Sequence, residues 1–155
     1  MVYKYNVKME DGVLRVYRER TIADKLTVKT MQEAALAIAN LAFEEQKPTE
    51  LFVIMLLDSN CSVLGIAEVS RGNMQSALVP VGLVIQYATQ TNAQGIICAH
   101  NHPSNSMTPS EEDKDVSKRL QKACGYCDIC MLDSFIVTKE YVVSIDSGSK
   151  IRRKS

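Results

Sequence analysis

The amino-acid sequence predicts an α/β fold in which a mixed sheet is flanked by helices. Short apolar runs typical of buried strands alternate with segments whose apolar residues recur at helical spacing. The chain has 155 residues, of which 46% are hydrophobic and 23% charged, enough for one domain with a substantial core. The sequence contains no linker, internal repeat or low-complexity segment that would divide it. We therefore predict a single domain over residues 1–155.

Turn residues and caps give the order of the elements. A hairpin around Asp11-Gly12 precedes a helix that Thr30 can cap, with Glu33 three residues later. The continuous apolar run from Leu51 to Leu57 is typical of a central strand buried on both faces. We then expect, in order, a strand over 62–69, a helix over 80–91, a strand over 96–100, a helix from about 108 to a glycine cap at 125, and a closing hairpin of 134–138 and 141–145. The predicted domain divides into an N-terminal extension (1–29), a core (30–146) and a basic tail (147–155).

Charge and cysteine usage limit the function classes. Eighteen basic and eighteen acidic residues cancel, whereas proteins that mainly bind phosphates usually carry a basic excess. The dense basic stretch at 150–154 is predicted to be a solvated tail, because chain ends are usually frayed. Five cysteines without a secretory signal indicate reduced thiols in the cytoplasm, and no apolar run is long enough to span a bilayer. We expect a cytoplasmic protein with no membrane association and weak nucleic-acid binding at most.

Both histidines of the chain lie two positions apart, at His100 and His102, where a predicted strand meets a polar loop. Alternate residues of an extended segment point the same way, so the two imidazoles can converge. Asp113 follows in the first turn of the next helix. Two imidazoles and one carboxylate are a common ligand set for a catalytic zinc, which leaves the fourth position for water. A histidine at a strand end and an acid in a first helical turn also occur for structural reasons, but the complete spacing predicts a zinc site.

Hydrolysis at such a site needs a proton carrier and a hydrogen-bond donor for the oxyanion. Glu68 is the predicted proton carrier, because its strand is expected to lie beside the strand that ends at His100. Ser110, about one helical turn before Asp113, is the predicted oxyanion donor. Glu50 and Glu44 are the alternative proton carriers should Glu68 be too distant.

The run His100-Asn101-His102-Pro103-Ser104, followed by Thr108-Pro109-Ser110 and Asp113, resembles the JAMM motif of the JAB/MPN superfamily. More narrowly, it is similar to the RadC-like branch, over about residues 30–145. The resemblance implies a cytidine-deaminase-like architecture, zinc held by the two histidines and the aspartate, and the acid/base and oxyanion roles already named for Glu68 and Ser110. Long RadC proteins also carry an N-terminal helical region, so this chain resembles their catalytic domain standing alone.

Three positions depart from the pattern of the RadC-like branch. They are Asn105 in place of a glycine after the His-Pro-Ser run, Val81-Gly82 after Pro80, and Ser134 after Leu132-Asp133. None of them removes a predicted metal ligand. Asparagine tolerates a left-handed backbone, so we expect the loop at Asn105 to be retained.

These observations leave three hypotheses about function. The first is a zinc-dependent peptidase or isopeptidase that acts on a peptide or protein conjugate. The second is a module associated with DNA repair or mobile elements that binds nucleic acid or a DNA-processing partner. The third is an inactive scaffold, which the complete ligand set disfavours. No sequence feature predicts an oligomeric state.

Iron–sulfur-like spacing occurs at Cys124, Cys127 and Cys130, but a fourth thiolate would have to come from a distant strand, so we interpret the three as packing residues.

Overall fold

The computed structural model describes residues 1–72 and 79–154 of the chain. Over these residues the chain forms eight strands and three helices. In chain order they are β1 (Val2–Glu10), β2 (Val13–Ala23), α1 (Met31–Ala42), β3 (Leu51–Leu57), β4 (Val63–Arg71), α2 (Val81–Gln90), β5 (Gly95–Asn101), α3 (Glu111–Tyr126), β6 (Cys130–Val137), β7 (Tyr141–Ser144) and β8 (Lys150–Arg152). The predicted order of helices and strands is confirmed from β1 to β7, whereas β8 was not predicted. None of the helices in the described ranges is long and apolar enough to cross a bilayer.

All the strands in the described ranges join one mixed sheet, in the order β2-β1-β4-β3-β5-β6-β7-β8. The pairings of β1 with β4 and of β5 with β6 are parallel, and the others are antiparallel. Every residue of β3 and β5 is buried. Strand β3 lies inside the sheet, with β4 paired to one side of it and β5 to the other, and its apolar side chains are covered on both faces. The prediction that the strand carrying Glu68 lies directly beside the strand ending at His100 is therefore wrong.

Two layers of helices cover the sheet and give it two cores. On one face, Ile38 of α1 belongs to the same buried cluster as Val53 of β3. On the other face, Leu120 of α3 and Val84 of α2 belong to a cluster with Phe52, the strand neighbour of Val53. Successive side chains of a strand point to opposite faces, so an apolar strand such as β3 supplies both cores. The predicted α/β fold with a mixed sheet is confirmed.

The helix ends follow the predicted cap at the start of α1 and differ at the end of α3. The Thr30 side chain accepts a hydrogen bond from the backbone N–H of Glu33, as predicted. The glycine expected to cap α3, Gly125, lies inside the helix, and Cys127 is the C-cap. Asp128 then takes the left-handed conformation, with φ of 57°. Aspartate tolerates this conformation, so the helix ends without a glycine at that position.

Both chain ends are part of the sheet. The predicted hairpin turn is confirmed, because Asp11 and Gly12 have φ of 51° and 77°, as a tight turn between twisted strands requires. Strand β1 continues the sheet by parallel pairing with β4, so residues 1–29 do not stand apart from it. The expectation of a frayed basic end is wrong, because Lys150–Arg152 pair with the otherwise open edge of β7. The side chains of Lys150, Arg152 and Lys154 are nevertheless exposed, as predicted for a solvated segment.

Candidate metal centre

The end of β5 and the first turn of α3 bring the three predicted ligands together. His100 is the penultimate residue of β5, and His102 follows the strand. The two Nε2 atoms are 3.1 Å apart. Asp113 places one carboxylate oxygen 3.0 Å from His100 Nε2 and the other 3.2 Å from His102 Nε2. Within the described ranges, this trio is the group of histidine, cysteine and acidic side chains arranged so that it could hold a metal ion.

The spacing of these atoms suits a small cation. Donor atoms about 2.0–2.1 Å from a tetrahedral zinc lie about 3.3–3.4 Å from one another, close to the observed 3.0–3.2 Å. Two imidazole nitrogens 3.1 Å apart repel each other when both lone pairs face inward, unless a proton or a cation lies between them. The buried Asp113 carboxylate supplies negative charge at the same point. The residues present therefore fit a divalent metal ion.

The loop that follows β5 orients His102. Its Nδ1 lies 2.8 Å from the carbonyl oxygen of Ser106, so Nδ1 is the protonated nitrogen and the Nε2 lone pair can face a metal. Burial acts to lower the pKa of His102, but hydrogen bonds to Asp113 and Ser106, with the charges of Asp113 and Glu50, raise it above its ordinary value. The orientation and surroundings of the His102 ring therefore favour the binding of a positive charge at Nε2, either a proton or a metal ion.

Asp113 is held in place by the helix that carries it. The Ser110 side-chain oxygen accepts a hydrogen bond from the Asp113 N–H at 3.1 Å, and the Asp113 carboxylate accepts one from the Ser110 N–H at 2.8 Å. This capping box orients the carboxylate toward the histidines. Burial acts to raise the pKa of Asp113, but the hydrogen bonds with His100 and His102 lower it far below its ordinary value. Asp113 is therefore an anion at any pH near neutrality.

His100 is the more deeply buried of the two histidines. Its ring stacks on Phe52, with 6.2 Å between ring centroids and 9° between ring planes. Its Nδ1 is buried and, within the part of the chain that the structure describes, has no hydrogen-bond partner. Phe52 therefore orients His100 by packing, whereas a hydrogen bond orients His102.

Asn101, between the two histidines, connects β5 to the residues that precede β3. Its side chain accepts a hydrogen bond from Leu51 N at 2.7 Å and donates one to Thr49 O at 3.1 Å. These two bonds hold the residues on either side of Glu50, whose carbonyl oxygen also accepts from Gly72 N at 2.9 Å. Sequence reasoning missed this contact, although a polar side chain at the end of an otherwise apolar strand was the available signal.

Glu68 lies on the opposite face of the sheet from His100. Residues paired across neighbouring strands share a face. Val53 pairs with Glu68 on one side and with Ala99 on the other. His100 is the strand neighbour of Ala99, so its side chain points the other way. The Glu68 carboxylate is engaged in two hydrogen bonds, of 2.9 and 3.1 Å, with the Arg71 guanidinium. This geometry gives no support to Glu68 as the proton carrier.

The cysteines show no cluster chemistry among the residues that the structure describes. Cys124 is buried, Cys127 and Cys130 are exposed, and all three are free thiols. Burial raises the pKa of Cys124 to about 11, so its thiol stays protonated at neutral pH. The interpretation of Cys124 as a packing residue agrees with its place in the core between α3 and the sheet, but the same interpretation of Cys127 and Cys130 is wrong, because both are exposed.

Sequence comparison agrees with this architecture. Residues 28–150 match the family of RadC-like JAB domains. The chain belongs to the RadC-like JAB family. The matched residues include all three metal-ligand candidates and run from just before α1 into β8.

Asn105, which replaces a glycine of the RadC-like branch, has φ of 61°, so the expectation that asparagine accommodates the left-handed backbone there is confirmed.

Curated relatives of this RadC-like JAB chain are longer than the chain itself. A UPF0758 protein of Pseudomonas fluorescens is 36% identical over 121 residues, which cover 77% of this chain and 54% of that protein. A UPF0758 protein of Flavobacterium johnsoniae is 32% identical over 140 residues, covering 88% and 61%. A third, from a Polaromonas species, is 31% identical over 137 residues, covering 86% and 60%. The chain thus spans little more than half the length of these relatives, whose names describe no activity.

Proposed function

We propose that this RadC-like JAB domain is a zinc-dependent peptidase or isopeptidase that cleaves an amide bond in a peptide or protein conjugate. The observation behind the proposal is the convergence of His100 Nε2, His102 Nε2 and the Asp113 carboxylate, 3.0–3.2 Å from one another. His102 keeps 12% of its side chain exposed, so the ligand cluster is accessible from the protein surface. Two imidazoles and one carboxylate leave a position for a reacting group, as catalytic zinc sites do.

Zinc bound at these three residues would supply Lewis acidity for hydrolysis at neutral pH. The protein's own groups do the rest of the chemistry. Ser106 O keeps the proton of His102 on Nδ1, which leaves Nε2 as a ligand. The Ser110 side-chain oxygen accepts a hydrogen bond from the Asp113 N–H. The hydroxyl hydrogen of Ser110 is then available to donate to the oxyanion that forms on the scissile carbonyl.

The proton carrier in this proposal is Glu50, the alternative named from the sequence, and not Glu68. Glu50 directly precedes β3, the strand that pairs with β5 and its His100. Its charge is one of those that raise the pKa of His102, so it acts within electrostatic range of the cluster. The other alternative, Glu44, lines the same cleft as Glu68 and Val53, on the face opposite His100. Glu50 is therefore the acid best situated to take a proton from water and return it to the leaving amine.

Metal content and turnover, measured together on four proteins, test the proposal. The parent protein should contain one zinc per chain by elemental analysis and cleave members of a panel of peptides and ubiquitin-like conjugates. His102→Ala should lose the zinc. Glu50→Gln keeps shape but cannot carry a proton, so it should keep the zinc and lose turnover by about 10²–10⁴-fold. Glu68→Gln is the matched control and should keep both.

Two results would reject parts of this proposal. Stoichiometric zinc in His102→Ala would rule out the metal site as assigned. Full turnover in Glu50→Gln, with turnover lost in Glu68→Gln, would return the proton-carrier role to Glu68.

A further inference from the structure

A cleft of about 330 Å³ lies beside the metal-ligand loop. We call it the Arg153 cleft. Buried Asn101 and Val137 form part of its floor together with Pro103, and the backbone N–H of His102 donates to Val137 O at 3.1 Å. The cleft therefore shares its wall with the segment that carries the metal ligands. A chain that occupies the cleft would pass next to the candidate metal centre.

Arg153 supplies a fixed positive charge in this cleft. Its guanidinium donates to Thr138 O at 2.9 Å and to Phe43 O at 2.6 Å. Its backbone N–H donates to Glu140 O at 2.7 Å. The side chain is half-buried, and burial lowers its pKa. Within the described part of the chain its partners are carbonyl groups and no carboxylate is paired with it. A desolvated cation without a counter-ion is an unsatisfied charge that an anion can complete.

The rest of the cleft adds a net positive charge. Lys47 and Lys139 also line it, against a single lining carboxylate, that of Glu45, which lies 3.9 Å from the Lys47 ammonium. A neighbouring cleft, lined by Lys139, Glu140, Arg152, Arg153 and Lys154, extends the positive surface along β8. The whole chain has no net charge, so this excess is local. Its place beside the metal centre distinguishes it from a general solubilising surface.

We propose that the Arg153 cleft binds a carboxylate of the polypeptide substrate and thereby positions the scissile bond at the metal centre. The inference rests on the proposed function and adds the substrate class to it: a peptide that carries an acidic side chain or a free C-terminal carboxylate next to the cleaved bond. The planar guanidinium fork matches a carboxylate. A nucleic acid fits less well, because affinity for it comes from many phosphate contacts along an extended basic surface, whereas this cleft is short and has a partly apolar floor.

Direct binding to the full chain tests the inference without requiring cleavage. The probes are ten-residue Gly-Ser peptides labelled with an uncharged BODIPY dye, measured by fluorescence anisotropy at about 0.15 M salt. One carries two internal glutamates and an amidated C-terminus, the second carries no acid but a free C-terminus, and the third, with glutamine for glutamate and an amidated end, is neutral. A ten-nucleotide single-stranded DNA is the fourth probe.

At least one of the two peptides that carry a carboxylate should bind at least about tenfold more tightly than the neutral peptide. Whichever peptide does so shows whether the cleft recognises a glutamate side chain or a free C-terminus. Equal affinity for all the peptides would overturn the inference. So would Arg153-dependent binding of the DNA that is tighter than that of both acidic peptides.

Three variants assign the binding to the cleft. Arg153→Gln should weaken the acidic peptide by about tenfold or more. Because that change also removes bonds to Thr138 and Phe43, Lys139→Gln provides a second test. Its side chain is exposed and makes no hydrogen bond or ion pair within residues 1–72 and 79–154, and its loss should weaken binding by about two- to fivefold. Lys122→Gln removes the same charge from the exposed surface of α3 and should change nothing. Equal weakening by Lys122→Gln and Lys139→Gln would mean non-specific attraction and reject the cleft.

The same experiments distinguish a failure of the proposed hydrolase function from a failure of carboxylate binding in the Arg153 cleft. His102→Ala should lose zinc and turnover yet keep the preference for the acidic peptide. A protein with zinc and turnover but no such preference would reject the cleft alone. Arg153-dependent binding in a parent protein that holds no zinc would reject the hydrolase and leave the cleft as a binding site.

Discussion

The side-chain oxygen of Asn101 accepts a 2.7 Å hydrogen bond from the backbone N–H of Leu51. The nitrogen of the same side chain donates to Thr49 O at 3.1 Å. Because Asn101 lies between the two candidate histidine ligands, this one buried side chain connects the segment of the candidate metal centre to the residues on both sides of Glu50.

Asn101→Ala should destabilise the fold by about 1–3 kcal/mol, because it leaves the buried Leu51 N–H without an acceptor. Chemical denaturation of the metal-free protein measures the free energy of unfolding. Asn40→Ala, the same substitution on the exposed face of α1, is the control. It should be neutral or slightly stabilising, since alanine is the better helix former. Equal stability of Asn101→Ala and the parent protein would show that the two bonds contribute nothing.

The stability of the metal-free protein should fall as the pH rises above about 6.5. The pKa of His102 is raised by Asp113, Ser106 and Glu50 despite the opposing effect of burial. A group whose pKa is higher in the folded state stabilises the fold fully below its unfolded pKa and loses that contribution as the pH rises through the folded pKa. Melting temperatures in the presence of a chelator, at a series of pH values from 5.5 to about 9, measure this change. His102→Gln should lack this part of the pH dependence, and an unchanged profile in that variant would assign it to another group.

The affinity of the protein for zinc should rise as the pH rises, whereas the stability of the metal-free protein should fall. A metal ion binds the neutral imidazole, so it must displace the proton that His102 holds in the metal-free protein. Because that proton is held more tightly than in a free histidine, affinity for zinc should still be increasing above pH 6.5. Competition titration with a chromophoric chelator at pH 6, 7 and 8 measures the affinity. A constant affinity over this range would contradict the assignment of His102 as a ligand.

Ser110→Ala should destabilise the protein by about 0.5–2 kcal/mol through loss of the cap on α3. Ser110→Asn retains a side-chain oxygen that can accept the Asp113 N–H, so it should recover most of the lost stability. Thermal melts of the two metal-free variants measure this difference. If both variants are as stable as the parent, the capping box does not hold Asp113.

Gly65→Ala should be strongly destabilising, because β1 and β4 approach each other there without room for a side chain. An added Cβ would lie 2.1 Å from Tyr3 O and 2.6 Å from the Tyr5 ring. Gly125→Ala is the matched control, since its Cβ would meet nothing within 4 Å. Within α3 that change should stabilise the protein by about 0.5–1 kcal/mol. Denaturation midpoints compare the two, and a mild effect at Gly65 would show that β1 can move away from β4.

The sequence by itself determined the elements up to β7 and the set of candidate metal ligands. The apolar run 51–57 predicted a buried strand, and Thr30 with Glu33 marked a helix start, because both signals are local. The His-x-His spacing and the later Asp113 likewise predicted a shared site, since a strand end and the following helix start lie close together whatever the rest of the sheet does.

Tertiary structure decided which acid lies near that site. Glu68 and Glu50 are both acids next to predicted strands, and the sequence does not specify that β3 pairs with both β4 and β5. That pairing puts Glu68 on the far face and brings Glu50 to the side of Asn101. The basic end of the chain was decided in the same way. Its order depends on the open edge of β7 and on the carbonyl of Phe43, which lies 110 residues from Arg153 in sequence and meets it only in the fold.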